Sequence, residues 1–70
     1  MELTINGEVK IFKEKSGSLN LSEVLQKLAL HPQTIVVEFN GVILNPEMWK
    51  EQKVVEGDRI EIVTIVGGGA

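Results

Sequence analysis

Histidine, cysteine, serine and paired carboxylates carry most side-chain catalysis, and this chain of 70 residues offers few of them in useful patterns. His31 is the single histidine and stands directly before Pro32, the setting of a helix-end or surface residue. No cysteine is present, so the chain has no disulfide, no thiolate nucleophile, and too few ligands for a zinc or iron–sulfur site. Ser16, Ser18 and Ser22 lie outside any nucleophile-elbow pattern, and one histidine does not make them nucleophiles. Glu56 and Asp58 flank Gly57 and read as a solvated turn rather than a general-acid pair. The expectation is a protein with no catalytic side chain, no metal site and no bound cofactor.

The chain end offers a different chemistry. Gly67-Gly68-Gly69 precedes Ala70. Glycines lack a Cβ and let a backbone thread a narrow channel or approach another molecule closely. Four residues beyond Val66 reach at most about 14 Å, at roughly 3.3–3.6 Å each. That length suffices to carry a terminal carboxylate into a partner's cleft. A run of glycines alone is equally a frayed end. Its position directly after an apolar final strand is what points to a use.

The elements that must position this end follow from pattern. Leu3 and Ile5 alternate with Glu2, Thr4 and Asn6, and Val9 and Ile11 resume the alternation after Asn6-Gly7. An Asn-Gly pair between alternating runs signals a hairpin with a type I′ turn, predicting strands over roughly 2–6 and 8–13. Asn20 has the character of a helix N-cap, with Glu23 placed to complete a capping box. Leu19 and Val24 are spaced as the matching hydrophobic staple. Leu21, Val24, Leu25 and Leu28 form one apolar stripe, and Pro32 ends the helix near Leu30. Residues 34–39 read as a strand that Asn40-Gly41 turns back into Val42-Ile43-Leu44. Residues 46–49 read as a turn or short helical piece, Glu56-Gly57-Asp58 as a further turn, and residues 59–66 as the last strand. With Ile60 and Ile62 inward, alternation turns Glu61, Val63 and Ile65 outward, a candidate apolar dock beside the tail. Hairpin, helix and further strands in this order give an α+β roll. One mixed sheet of four to five strands carries one main helix on one face, and the last strand lies beside the first. That arrangement is the ubiquitin-like β-grasp. Residues 1–66 form the domain and residues 67–70 a flexible glycine-rich tail.

Composition bounds the partners. Apolar residues make up 43% and charged residues 24%, as in a globular domain. At this length folding buries only about 60% of the unfolded surface, so stability is modest. The net charge of −3 arises entirely within residues 31–70, where six acids face Lys50, Lys53 and Arg59. An acidic half disfavours nucleic acid and suits a protein with a basic dock. The amino terminus has no secretory pattern and the longest apolar stretch, residues 60–66, is too short to span a bilayer. A cysteine-free chain without a leader fits the cytoplasm.

Three stretches are familiar: Asn40-Gly41-Val42-Ile43-Leu44-Asn45-Pro46-Glu47-Met48-Trp49, Glu56-Gly57-Asp58-Arg59-Ile60-Glu61-Ile62-Val63, and Val66-Gly67-Gly68-Gly69. Together with Ile5-Asn6-Gly7 they resemble the ThiS family, the sulfur carriers of bacterial thiamin biosynthesis. The resemblance covers the whole chain and is strongest over residues 40–69. It implies that a terminal glycine carboxylate is adenylated by an ATP-using, ubiquitin-activating-like adenylyltransferase. A sulfur donor then converts it to a thiocarboxylate, which thiazole synthase consumes. On that resemblance Gly69 carries the sulfur once Ala70 is lost and Gly68 is its neighbour; Gly67, with Val63 and Ile65 from the alternation, is expected to face the partner, although Val63 and Ile65 are equally read as plain strand formers. The family's chains end on glycine, so Ala70 is a departure. Trp49, by the same resemblance, covers one end of the core rather than a ligand. Two other readings compete: the small subunit of molybdopterin synthase, and a β-grasp module that only binds protein or RNA. The first usually has prolines and an alanine before its glycine pair, where this chain has Thr64-Ile65-Val66.

Overall fold

The computed structural model describes residues 1–65; residues 66–70, including Gly67, Gly68, Gly69 and Ala70 of the expected tail, lie outside the described residues. The strands are β1 (Glu2–Ile5), β2 (Glu8–Ile11), β3 (Leu19–Asn20), β4 (Ile35–Phe39), β5 (Val42–Leu44), β6 (Lys53–Val54) and β7 (Arg59–Thr64). One α-helix, α1 (Leu21–Lys27), follows β3, and short 3-10 turns occupy Pro32–Thr34 and Pro46–Met48. Five strands form one mixed sheet in the order β2-β1-β7-β4-β5, with β1 and β7 parallel and the other neighbours antiparallel. The last strand therefore lies in the centre beside the first, the β-grasp expected from element order.

Both Asn-Gly pairs make the turns their sequence demands. Asn6 and Gly7 sit at φ 52° and 80°, and Asn40 and Gly41 at 49° and 86°. Two consecutive left-handed residues match the twist of the flanking strands, and asparagine with glycine tolerates them best. The loop of two residues sets Ile5 opposite Glu8 and Leu3 opposite Lys10. Val9 and Ile11 consequently share the face of Thr4 and Glu2, away from the core, and are 58% and 75% exposed.

The helix starts where its cap predicts. Asn20 Oδ1 accepts from the Glu23 backbone N–H at 2.8 Å, and Glu23 Oε1 accepts from the Asn20 N–H at 2.9 Å. Such a cap contributes about 1 kcal/mol. The helix ends at Lys27, short of the expected Leu30, because Ala29 takes a left-handed conformation at φ 58°. Leu21, Val24 and Leu25 are buried by α1 against Leu3, Ile5, Val37 and Ile60 of the sheet within a single core. Trp49 is 3% exposed and donates its indole N–H to the Leu44 carbonyl at 3.1 Å, closing one end of that core. No polar side chain is buried among the described residues.

Two further features differ from expectation. Leu19–Asn20 and Lys53–Val54 pair as a second, two-stranded sheet, which seats the start of α1 on residues 52–54. Strands β2 and β7 stop earlier than their alternation suggests, at Ile11 and Thr64.

Candidate functional site

Strand β7 leads to the carboxy terminus and is held by neighbours along both edges. The turn before it closes through the Asp58 N–H on the Val55 carbonyl, with Gly57 at φ 85°. Asp58 Oδ2 accepts the Val55 N–H at 2.8 Å while Asp58 Oδ1 accepts Asn40 Nδ2 at 3.0 Å. Asn40 Oδ1 in turn accepts the Arg59 N–H at 2.8 Å, so the second Asn-Gly turn fastens the first residue of β7. β7 pairs with β4 along the whole of Ile35–Phe39 on this flank and with β1 through Thr4 and Ile5 on the other. The Ile65 N–H still reaches the Thr34 carbonyl at 2.6 Å, so chain direction is fixed up to the last described residue.

The alternation along β7 falls as expected. Ile60 is buried and Ile62 half-buried on the core side, while Glu61 and Val63 point outward. Val63 is 59% exposed and lies opposite Val36, and Ile65 is 51% exposed. The expected docking residues Val63 and Ile65 are therefore together at the end of β7 on accessible surface. Gly67, Gly68 and Gly69, the remaining expected site residues, lie outside the described residues.

The open face of the sheet extends the patch beyond what sequence reasoning assigned. Ile43 lies opposite Glu38 and is 65% exposed, and Val9 and Ile11 occupy the far edge. The signal for Val9 and Ile11 was available: a loop of two residues fixes which parity faces outward. Charges separate the two apolar ends, with Glu2, Glu38 and Glu61 against Arg59. A shallow depression of about 400 Å³ opens among Glu38, Asn40, Gly41, Arg59 and Glu61, none of which is buried. It is open to solvent and does not enclose a small molecule.

Two of the serines set aside on sequence grounds have structural duties. Ser16 Oγ accepts the Glu56 N–H at 2.8 Å, and Ser18 Oγ donates to the Lys15 carbonyl at 2.6 Å. His31 is exposed and precedes the Pro32–Thr34 turn, where its carbonyl accepts from Thr34. Among the described residues no three of histidine, aspartate, glutamate and cysteine stand close enough to hold a metal. No helix there is long and apolar enough to cross a membrane.

Comparison with known proteins agrees with this geometry. The ThiS family model matches residues 3–69, so the match runs through the glycine run and stops at Gly69. The sulfur carrier protein ThiS of Bacillus subtilis is 33% identical over 67 residues, covering 96% of this chain and 98% of that one. A thiazole synthase of Paramagnetospirillum magneticum is 34% identical across the whole chain, which spans only 21% of that longer protein. Among solved structures, the thiamine biosynthesis protein ThiS of Geobacter metallireducens superposes with a TM-score of 0.83 at 34% identity. That superposition covers 99% of this chain and 100% of the other. With sequence, fold and glycine run in agreement over nearly its full length, the chain belongs to the ThiS family.

Proposed function

We propose that this chain is a sulfur carrier of thiamin biosynthesis whose Gly69 carboxylate is the reacting group. The observation that carries the proposal is the family match running through Gly69, directly beyond a strand laddered up to Ile65. A carboxylate is a poor electrophile, so its activation belongs to an ATP-using adenylyltransferase. The Gly69 carboxylate oxygen attacks the α-phosphorus of ATP and pyrophosphate leaves. A hydrosulfide-equivalent nucleophile from the sulfur donor then attacks the acyl carbon, and AMP leaves with the C–O bond electrons. The product is a thiocarboxylate, with one oxygen exchanged for sulfur.

The protein's own contribution is a rigid base, an accessible apolar dock and a chain end without side chains. Val63, Ile65 and Gly67 meet the partner, and Gly68 and Gly69 enter its channel. Ala70 is removed before charging, because it locks the Gly69 carboxylate into a peptide bond. Thiazole synthase is the consumer of the sulfur. The occurrence of a homologous segment within the Paramagnetospirillum magneticum thiazole synthase supports that pairing. The need for ATP and the absence of cysteine suit the reducing cytoplasm.

ATP–pyrophosphate exchange tests the reading. Exchange catalysed by a ThiS-type adenylyltransferase is expected to depend on adding the chain that ends at Gly69. Exchange at the same rate without the chain would contradict it.

A further inference from the structure

Asn6 does more than turn the first hairpin. In a parallel ladder the N–H groups of alternate residues bond successive carbonyls across the pair. Here Thr4 donates to the Asp58 carbonyl at 3.0 Å, and Asn6 donates to the Ile60 carbonyl at 2.9 Å. The next rung would bring the Ile62 N–H to the Asn6 carbonyl. β1 has already turned away at that point, because Asn6 stands at φ 52°. The side chain supplies the missing rung: Asn6 Oδ1 accepts the Ile62 N–H at 2.6 Å, and Asn6 Nδ2 donates to the Ile62 carbonyl at 3.2 Å. One carboxamide thus stands in for a strand and satisfies both backbone groups of Ile62 on the flank that β1 leaves open.

We infer that Asn6 is a positioning residue for adenylation, fixing the direction in which the chain leaves the sheet towards Gly69; this inference rests on the sulfur-carrier reading. Ile62 lies seven residues before Gly69 and directly precedes the dock residue Val63. Without the carboxamide, the end of β7 is tied on the β4 flank alone, and it pivots about that ladder. Docking through Val63 survives, since Val63 remains paired with Val36 of β4. The carboxylate then reaches the α-phosphorus in the right geometry less often. The step that suffers is chemistry within the complex, not formation of the complex.

The other Asn-Gly turn provides an internal control. Asn40 also sends its carboxamide to β7, but to the Arg59 N–H and Asp58 Oδ1, at the strand's far end. Glycine at either asparagine keeps the left-handed turn while removing the amide, so Asn6→Gly and Asn40→Gly carry comparable structural losses.

The test is steady-state adenylation kinetics of folded chains ending at Gly69, with amide exchange at Ile62 measured alongside. Asn6→Gly is expected to lower kcat by about tenfold while KM stays within about twofold. Its Ile62 amide should exchange faster. Asn40→Gly should leave kcat within about twofold of wild type. Asn6→Asp retains the acceptor for the Ile62 N–H but loses the donor to the Ile62 carbonyl, and is expected to recover only part of the loss. Wild-type kcat in Asn6→Gly, or an equal fall in Asn40→Gly, would overturn the positioning role while leaving the carrier reading intact. A wild-type chain that is not adenylated at all would instead overturn the carrier reading, and the role with it.

Discussion

Ala29 closes the helix in a conformation that alanine tolerates poorly. Its N–H bonds the Gln26 carbonyl at 2.9 Å and the Leu30 N–H bonds the Leu25 carbonyl at 3.3 Å, the paired bonds of a Schellman motif. Glycine is the usual occupant of that left-handed position, because it has no Cβ to meet the backbone. Ala29→Gly is therefore expected to stabilise the fold by about 0.5–1 kcal/mol, relief of strain outweighing glycine's extra unfolded freedom. Urea melts followed by Trp49 fluorescence would read it as a raised midpoint with unchanged slope; a lowered midpoint would contradict it. Asn6, Asn20 and Asn40 were legible in the sequence because each acts through local geometry that asparagine favours. Ala29 was not, since nothing in alanine announces a positive φ, and the helix end was read from Pro32 instead. The reach of Asn6 to Ile62 was also invisible, being a contact across 56 positions.

An apolar stripe and a charged tie join the helix to the rest of the fold. Leu25 is 3% exposed and joins α1 to the core, so Leu25→Ala should cost about 2–5 kcal/mol in denaturant melts. A variant as stable as wild type would contradict the packing. The charged tie is Lys27 Nζ on Glu14 Oε2 at 2.9 Å, which connects the loop after β2 to the last turn of α1. That hydrogen bond, with one to the Glu14 backbone, holds the carboxyl below its usual range. The folded form then binds its proton less readily than the unfolded form. Its stabilisation is present above the ordinary carboxylate pKa of about 4.3 and is lost as pH falls through the lower folded value. The stability gap between wild type and Glu14→Gln should be small near neutrality, since the pair is partly exposed, and should shrink in acid. A gap that is constant with pH would contradict the tie. Strand β7 makes the functional prediction at this scale. Val63→Lys puts a charge on the open face without touching the core, so the fold should persist while affinity for the adenylyltransferase drops about tenfold or more. Unchanged binding by the folded variant would remove Val63 from the dock. Strands β3 and β6 escaped the sequence reading because two residues carry no periodicity, and their pairing is set by the core around Leu19 and Val54.

At the scale of the whole molecule, the order hairpin, helix, hairpin, last strand was enough to place β7 beside β1. Alternation was enough to turn Val63 and Ile65 outward. What the reading left open was the outer face as a unit, where Ile43 joins the Val63 end and Val9 and Ile11 form a second apolar end across the charges. The ThiS family was legible through resemblance rather than through any side-chain constellation. The arrangement is a small apolar core around one central strand, and the proposed chemistry lies beyond that strand's end. Charging at the terminal glycine is the central claim, and intact mass tests it most directly. A chain ending at Gly69 is incubated with ATP, a ThiS-type adenylyltransferase and a sulfur donor, beside a chain retaining Ala70. The first is expected to gain the mass of sulfur in place of one oxygen, and the second to remain unchanged unless Ala70 is first trimmed. Equal charging of both chains with Ala70 still in place would contradict the requirement for a free Gly69 carboxylate, and charging of neither would contradict the carrier function itself.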